Sequence, residues 1–274
     1  MTEKRKRQTP LPVQSRLTGE TVARNQVKRH LGKALAAREV TLGETPVPSL
    51  WLAVEASPFV LHALVRSDAE LSDLDRFLRD VWMECCGHLS QFESRVKDER
   101  PVQYVIEPDE VDATAFLAEF PPEWREEIGR RLLSHTPVEK SLATPVSEAF
   151  SAGRTLTYEY DMGTTTACTL KVVAEVDAPW PAKKKVRLLA RNERPAWVCR
   201  DCGEPATQLC TLRDCGDGDG AAMFCARHAK THPKKAHPDE GGDDWMMAKL
   251  SNSPRDPSCG YEEGPRDEEP YVWP

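Results

Sequence analysis

The chain has 274 residues, of which 30% are charged and 39% are hydrophobic, and its formal net charge is −7. That length suffices for one sizeable domain and a second, small one. No apolar run approaches the roughly 18 residues of a membrane helix and no secretory leader pattern follows Met1, so we expect a cytoplasmic protein without membrane segments.

Charge is distributed unevenly along the chain. The first 38 residues carry ten lysines and arginines against two glutamates, whereas the last 36 are mainly acidic. A basic segment from Lys4 to Arg38 can bind nucleic acid by releasing counterions from phosphate. The segment contains no aromatic side chain on which bases would stack, and binding to the protein's own acidic tail would explain the same asymmetry.

Residues 1–46 are predicted to form a basic arm that is partly disordered or helical. A loose helical face within the arm is formed by four apolar residues, Val22, Val27, Leu31 and Leu35. The proline-rich run at residues 45–48 then opens the first domain, which we place at residues 47–191.

Two strands and a helix are predicted at the start of this domain. Alternating apolar residues predict a strand at residues 50–54, and a second apolar run follows Pro58. Ser67-Asp68-Ala69-Glu70 is a capping-box sequence, so a helix is expected to follow it. Apolar residues then recur at three- and four-residue steps as far as Cys85. We interpret Cys85 and Cys86 as buried thiols, because no CxxC partner lies near them.

Further strands are predicted at Val102 to Ile106, Leu156 to Tyr160 and Cys168 to Val172, and a helix at Glu123 to Ser134. Strands on both sides of a central helix, without a regular βαβ repeat, predict an α+β fold. We expect a mixed or antiparallel sheet packed on helices. A small zinc-stabilised module at residues 195–261 and an acidic tail at residues 262–274 should follow it.

The richest stretch of metal ligands lies near the carboxyl end. It contains eight thiol and imidazole donors: Cys199, Cys202, Cys210, Cys215, Cys225, His228, His232 and His237. Such donors suit tetrahedral Zn²⁺, which takes four protein ligands in a structural site, so we expect two zinc ions. The run at residues 216–220 is too polar and glycine-rich to build a core. Metal must then supply the folding energy, about 10 kcal/mol or more per ion.

The spacing of these ligands favours one pairing. Two-residue gaps make Cys199 with Cys202 one half of a zinc knuckle, and Cys225 with His228 another half. Combining the two halves leaves four ligands for the second ion, namely Cys210, Cys215, His232 and His237. This interleaved arrangement is similar to the B-box or cross-brace class of zinc modules, and a sequential pairing is the alternative. Four protein ligands per ion leave no open position for catalysis.

Several short motifs follow one another in a distinctive order. A strand, Pro58, a second strand, a helix and a third strand span Leu50 to Phe92, and Tyr158 to Gly163 comes next. The remaining motifs flank the cysteine-rich stretch: Leu188 to Glu193, Asn252 to Arg255, and Cys259 to Tyr261. This order, from about residue 48 to residue 261, resembles the plasmid pRiA4b ORF-three-like family, whose members are often passengers of insertion elements. The resemblance implies the fold and the zinc content, while the function of the family is largely unknown.

Two motifs of that family are changed in this chain. Members carry Trp-Arg-Arg after the proline, where this chain has Phe59-Val60-Leu61, and Phe-Gly-Asp followed by Trp, where this chain has Met162-Gly163-Thr164-Thr165. A ligand site built from those residues in the family would be lost or altered here. Of the polar residues typical of the family, this chain keeps His88 and Asp161. Cys259 is a candidate substitute zinc ligand.

We therefore expect a non-catalytic zinc-binding protein, linked to a plasmid or mobile element, that binds a protein partner. The sequence contains no P-loop, Rossmann glycine pattern or nucleophile elbow. One alternative is a nucleic-acid-binding accessory protein that uses Lys4 to Arg38. The other is an enzyme in which His88 and Asp161 form an acid-base pair, in a cleft shared with Tyr158 and Tyr160.

Overall fold

A computed structural model describes residues 10–96, 99–108, 117–118, 120–151, 154–212, 215, 222–240, 246–256, 258–264 and 268–272. The basic run Lys4 to Arg7 and the glycine-rich run at residues 216–220 lie outside this range. Among the described helices, none combines the length and the hydrophobicity that crossing a bilayer requires.

The described residues of the larger lobe form a mixed ten-stranded sheet with the order β2-β1-β10-β4-β3-β9-β8-β5-β6-β7. Its strands are β1 (Val13–Ser15), β2 (Thr21–Val22), β3 (Glu44–Ala56), β4 (Phe59–Arg66), β5 (Ser90–Ser94), β6 (Val102–Val105), β7 (Val138–Ser141), β8 (Leu156–Tyr160), β9 (Thr166–Pro181) and β10 (Val186–Asn192). Neighbouring strands are antiparallel except β6 and β7, which are parallel. The predicted α+β class with a mixed sheet is confirmed.

The helices whose bounds lie within the described residues are four in the larger lobe and one in the small carboxyl-terminal lobe. They are α1 (Val27–Ala36), α2 (Leu71–Leu78), α3 (Pro122–His135), α4 (Val146–Ala149) and α5 (Ala226–Ala236). A π-helical turn at Arg79–Met83 continues α2. The apolar stripe predicted for this helix is buried, since Leu71, Leu74 and Phe77 have no exposed surface.

The centre of the sheet is covered on both faces. Along β4, Leu61, Ala63 and Val65 belong to the core under α2, whereas Val60 and Leu64 belong to the core under α1. This division follows from the two-residue period of a strand. Seven of the eight β4 residues are buried, as expected for a central strand with a helix on each side.

The predicted basic arm contributes to the sheet from Pro10 onward. Val13 of β1 and Leu31 of α1 are completely buried, and β1 pairs with β10 in antiparallel fashion. Arg16 forms an ion pair of 2.6 Å with Glu268, so one residue of the arm contacts the acidic tail. Burial of apolar side chains therefore fixes this segment, although its overall charge suggested a solvated arm.

The start of α2 differs from the predicted capping box. The helix begins at Leu71, after Glu70, whose amide donates to the Asp73 carboxylate at 3.0 Å. Ser67 does not cap it, because Glu70 is the N-cap residue. The Ser67 amide donates to the Pro48 carbonyl, and Glu70 forms an isolated bridge with Pro145. The capping box is therefore formed by Glu70 and Asp73, three residues after the predicted one.

The chain returns from the small lobe to pack against the large sheet. Ser253 is completely buried, and its hydroxyl donates to the Trp82 carbonyl at 2.6 Å. Arg255 is also completely buried; its guanidinium donates to the Asp161 carboxylate and, at 2.6 Å, to the Thr164 carbonyl. The hydrogen bond from Arg255 lowers the pKa of Asp161 to about 2, burial opposes this shift, and the amides of Thr164 and Gly163 reinforce it.

A second buried polar contact lies on the α1 side of the sheet. The indole nitrogen of Trp51 donates to Nδ1 of His62 at 3.1 Å, and His62 is 2% exposed. Burial lowers the pKa of His62 to about 4, and the nearby positive charges of Lys28 and Arg24 act in the same direction. The apolar run around His62 therefore contains a neutral, packed imidazole.

We expect Arg255→Met to lower Tm by roughly 5 °C or more, because it leaves the Asp161 carboxylate without its buried cation. The matched control is Arg95→Met, since the Arg95 side chain is 75% exposed and pairs with Glu93 at the surface. That control should shift Tm by less than about 2 °C. Equal shifts in thermal unfolding of the two variants would contradict this account.

Stability should depend on pH through His62. Because the folded pKa of about 4 lies below the ordinary value of 6.5, the unfolded chain takes up a proton first as the pH falls. The contribution of the neutral ring is therefore present above about pH 6.5 and is lost toward pH 4, amounting to about 3 kcal/mol.

The His62→Gln variant keeps an acceptor for Trp51 but does not titrate. Urea unfolding followed by tryptophan fluorescence should show wild type losing more stability than His62→Gln between pH 7 and pH 4. Taking the difference between the two proteins cancels the titration of all other groups. Parallel stability profiles over this range would contradict the assignment.

Candidate metal centres

The small lobe consists of a three-stranded sheet and α5. Its strands are β11 (Gln208–Cys210), β12 (Met223–Phe224) and β13 (Met247–Lys249), with β11 in the centre. Its buried apolar cluster is small and half of it is cysteine, comprising Cys199, Cys210, Cys215, Ala222, Phe224 and Ala229. So small a described core supplies little hydrophobic stabilisation, which agrees with a module held together by metal.

The first cluster contains Cys199, Cys202, Cys225 and His228, whose ligand atoms all lie within 4.8 Å of one another. The Sγ atoms of Cys202 and Cys225 are 3.8 Å apart, and Nδ1 of His228 lies 3.3 Å from the sulfur of Cys199. Around a tetrahedral zinc, two sulfurs are about 3.8 Å apart and a sulfur and a nitrogen about 3.6 Å apart. The donors are therefore spaced to share one ion.

A tight turn positions the first two of these ligands. The Gly203 amide donates to the Cys199 carbonyl at 2.9 Å, and Gly203 has a φ of 73°, which a side chain would disfavour. Burial raises the pKa of Cys199, but the amides of Cys225, Asp201 and Cys202 point at its sulfur and bring the pKa down to about 6. Cys199 is thus poised as the thiolate, the form that binds metal.

The second cluster contains Cys210, Cys215, His232 and His237. The Cys215 sulfur lies 2.9 Å from Nε2 of His232 and 3.1 Å from Nε2 of His237, and the Cys210 sulfur lies 3.6 Å from Nε2 of His237. Burial and the adjacent Cys210 raise the pKa of Cys215 to about 11. A bound cation reverses that preference, because a coordinating thiol is deprotonated.

Helix α5 links the two clusters. Cys225 immediately precedes it, His228 lies in its first turn and His232 lies one turn further on the same side, while His237 follows its last residue. The His232 ring stacks on Phe224 with centroids 4.1 Å apart. Burial, together with His237, lowers the pKa of His232, which favours the neutral ring that ligates metal.

All eight ligands predicted from the sequence lie in these two clusters, grouped in the interleaved manner. The sequential alternative would need Cys199 beside Cys215, and the geometry instead places Cys199 with Cys225 and His228. A set of four thiol and imidazole ligands is typical of a Zn²⁺ site. That zinc occupies both sites stays a prediction.

Sequence reasoning missed a third group of donors in the larger lobe. Cys85, Cys86, His88 and Cys259 also have ligand atoms within 4.8 Å of one another. The interpretation of Cys85 and Cys86 as buried thiols is wrong, because Cys86 is exposed and Cys85 is only partly buried. The closely spaced Cys86-Gly87-His88 was the available signal, but its fourth partner lies more than 170 residues away in the chain.

The hypothetical catalytic cleft is only partly assembled. His88 and Asp161 approach to 3.6 Å, and Tyr160 accepts a hydrogen bond from the His88 amide at 3.2 Å. Tyr158 lies elsewhere, completely buried, with its hydroxyl donating to Asp75 at 2.8 Å. Asp161 is already engaged by Arg255 and by the amides of Gly163 and Thr164. These hydrogen bonds give the Asp161 carboxylate a structural role and leave it poorly placed for proton transfer.

No protein-family model and no curated protein matches the chain. Among solved structures it is similar to a protein of unknown function, MM3350, from Methanosarcina mazei Go1, with 16% sequence identity and a TM-score of 0.38. The similarity covers 58% of this chain and 77% of that protein. We draw the function from the geometry of the clusters.

Paired substitutions distinguish the two ways of grouping the module ligands. Under the interleaved grouping, Cys199→Ser with Cys225→Ser damages one site, whereas Cys199→Ser with Cys215→Ser damages both. The first double variant should therefore retain one module zinc more than the second, counted by native mass spectrometry. Sequential pairing predicts the reverse order, so the two proteins serve as controls for each other.

Proposed function

We propose that the chain is a non-catalytic, cytoplasmic zinc-binding protein whose small lobe binds a protein partner. The observation that carries this proposal is the pair of four-donor clusters at opposite ends of α5. With four protein ligands each, two zinc ions would be structural and would have no vacant position for a substrate. We further propose membership in the plasmid pRiA4b ORF-three-like, mobile-element-linked family, supported by the motif order of the sequence.

The outward side of α5 supports a binding role. The side that carries His228 and His232 faces the clusters, and Ala229 and Pro233 are buried beside them. The opposite side is exposed and basic, formed by Arg227, Lys230, Lys234 and Lys235. Helical periodicity places the first three of these within one stripe. Metal bound at both ends would hold the stripe rigid, which reduces the entropy lost on binding.

We propose that this basic stripe binds an acidic segment of a partner protein. Three cations on one helix face, in a chain with a net charge of −7, give this surface a charge opposite to that of the molecule. No disulfide joins any of the nine cysteines, which is consistent with a reducing compartment.

The test is charge reversal of the stripe. Arg227→Glu, Lys230→Glu and Lys234→Glu combined should weaken binding of a short fluorescent peptide rich in Asp and Glu at least about tenfold, measured by anisotropy at low salt. The zinc count should not change, because none of the three side chains belongs to a cluster. Unchanged peptide affinity would refute the proposal.

The matched control reverses three exposed cations of α1, Lys28, Arg29 and Lys33. These residues belong to the basic segment of the nucleic-acid alternative, which remains a second proposal. The control variant should bind the acidic peptide as wild type does. If wild type instead binds a DNA duplex in a strongly salt-dependent manner, and only the α1 variant loses that binding, the nucleic-acid alternative is supported in place of the peptide.

A further inference from the structure

The third cluster joins two distant parts of the larger lobe. Cys85, Cys86 and His88 lie in the loop between the π-helical turn and β5, and Cys259 lies in the 3₁₀ turn Ser258–Gly260. The Cys86 sulfur is 3.7 Å from that of Cys85, 3.4 Å from that of Cys259 and 3.0 Å from Nε2 of His88. The distance from Nε2 of His88 to the Cys259 sulfur is 3.4 Å.

The geometry points to a third zinc ion, bound by Cys85, Cys86, His88 and Cys259, that fastens the carboxyl-terminal segment to the sheet. Three sulfurs and one nitrogen form a frequent structural zinc set, and a tetrahedral ion separates them by about 3.6 to 3.8 Å. The two sulfur–sulfur separations, 3.7 and 3.4 Å, and the two sulfur–nitrogen separations, 3.0 and 3.4 Å, are all shorter than these values, by at most about 0.6 Å.

The loop that carries three of the ligands is held from outside the cluster. Arg79 donates to the carboxylates of Asp75 and Glu84, both at 2.8 Å, and to the His88 carbonyl at 2.7 Å. The Glu84 carboxylate in turn accepts hydrogen bonds from the Gly87 amide and the Tyr160 hydroxyl. These contacts fix the backbone before any ion binds, which is what a metal site requires of its supporting residues.

The fourth ligand is presented in an uncommon backbone conformation. Cys259 has a φ of 53°, in the left-handed region that disfavours residues with a side chain. Such a conformation costs free energy and persists where surrounding contacts compensate for it. A bond from the Cys259 sulfur to an ion shared with Cys86 and His88 would be one such contact.

The positive charge of Arg255 beside the cluster favours a zinc ion bound by three thiolates. Zinc binding displaces one proton from each of the three thiols and leaves the site with a net charge of −1. The Arg255 guanidinium lies 3.7 Å from the Cys85 sulfur and offsets this charge. Asp161 is not a ligand, because Arg255 and two backbone amides occupy its oxygens.

The exposure of the site argues against an ordinary apolar packing role. Cys86 and Cys259 are both exposed, whereas Cys168, the one cysteine outside the three clusters, is buried in the core under α2. A Cys86–Cys259 disulfide is the competing outcome, because it would use two of the same sulfurs. It would leave Cys85 and His88 without a role, and the four-donor arrangement favours the ion.

The test counts zinc in the full chain by native mass spectrometry. Wild type should carry one ion more than Cys86→Ser combined with Cys259→Ser. The matched control, Cys168→Ala, should keep the wild-type count. Cys199→Ser combined with Cys225→Ser should lose module zinc and keep the third ion, so failure of the module assignment and failure of this proposal are separable.

A second measurement needs no substitution. After cobalt replaces zinc, the thiolate-to-metal absorption should correspond to eight thiolates per chain, against five if only the small lobe binds metal. Full occupancy should also slow labelling of Cys86 and Cys259 by an exposed-thiol reagent. Three results would each overturn the proposal. They are an unchanged zinc count in the double variant, a cobalt signal of five thiolates, and a Cys86–Cys259 disulfide in protein purified from a lysate under reducing conditions.

Discussion

The buried ion pair between Arg255 and Asp161 is the contact on which the arrangement of the two lobes depends. A completely buried guanidinium is stable only with hydrogen-bond partners around it, and here Asp161, Thr164 and Thr166 provide them. The same contact holds Asp161 in a left-handed turn with a φ of 66° and brings Cys259 beside the loop at Cys85. Because burying Arg255 without this carboxylate would cost free energy, the ion pair favours the placement of the returning chain that brings Arg255 to Asp161.

Bound metal would play in the small lobe the role that apolar burial plays in the large one. In the larger lobe, side chains such as Trp82, Phe77 and Leu61 fill the layers on the sheet. The small lobe has short strands and few apolar residues among those described, and its cysteines occupy the positions of a core. Backbone amides aimed at Cys199 and the neutral ring of His232 prepare these positions for a cation. Folding of this lobe and metal binding are therefore expected to be one process.

Most of the strands and metal ligands that could be predicted from the sequence were indicated by patterns within short stretches of the chain. Period-two alternation located β3, β8 and β9, a continuous apolar run located β4, and ligand spacing grouped the eight carboxyl-terminal donors, because each signal is contained within a short window. The pairing of β1 with β10 and the approach of Cys259 to Cys86 are long-range contacts. No window of sequence contains both partners of such a contact, and the positive charge of residues 1–46 concealed the apolar residues that direct it into the sheet.

The pairing of β1 with β10 has a consequence for any shortened form of the protein. β10 lies between β1 and β4, and the Arg16 amide also donates to its Leu189 carbonyl at 2.7 Å. A fragment beginning near residue 47 would turn an interior strand into an open edge and would strip α1 from Trp51 and Leu64. Unpaired amides beside uncovered apolar side chains favour self-association. The basic segment thus covers one edge and one face of the sheet, and a protein that lacks it should aggregate instead of folding as a smaller domain.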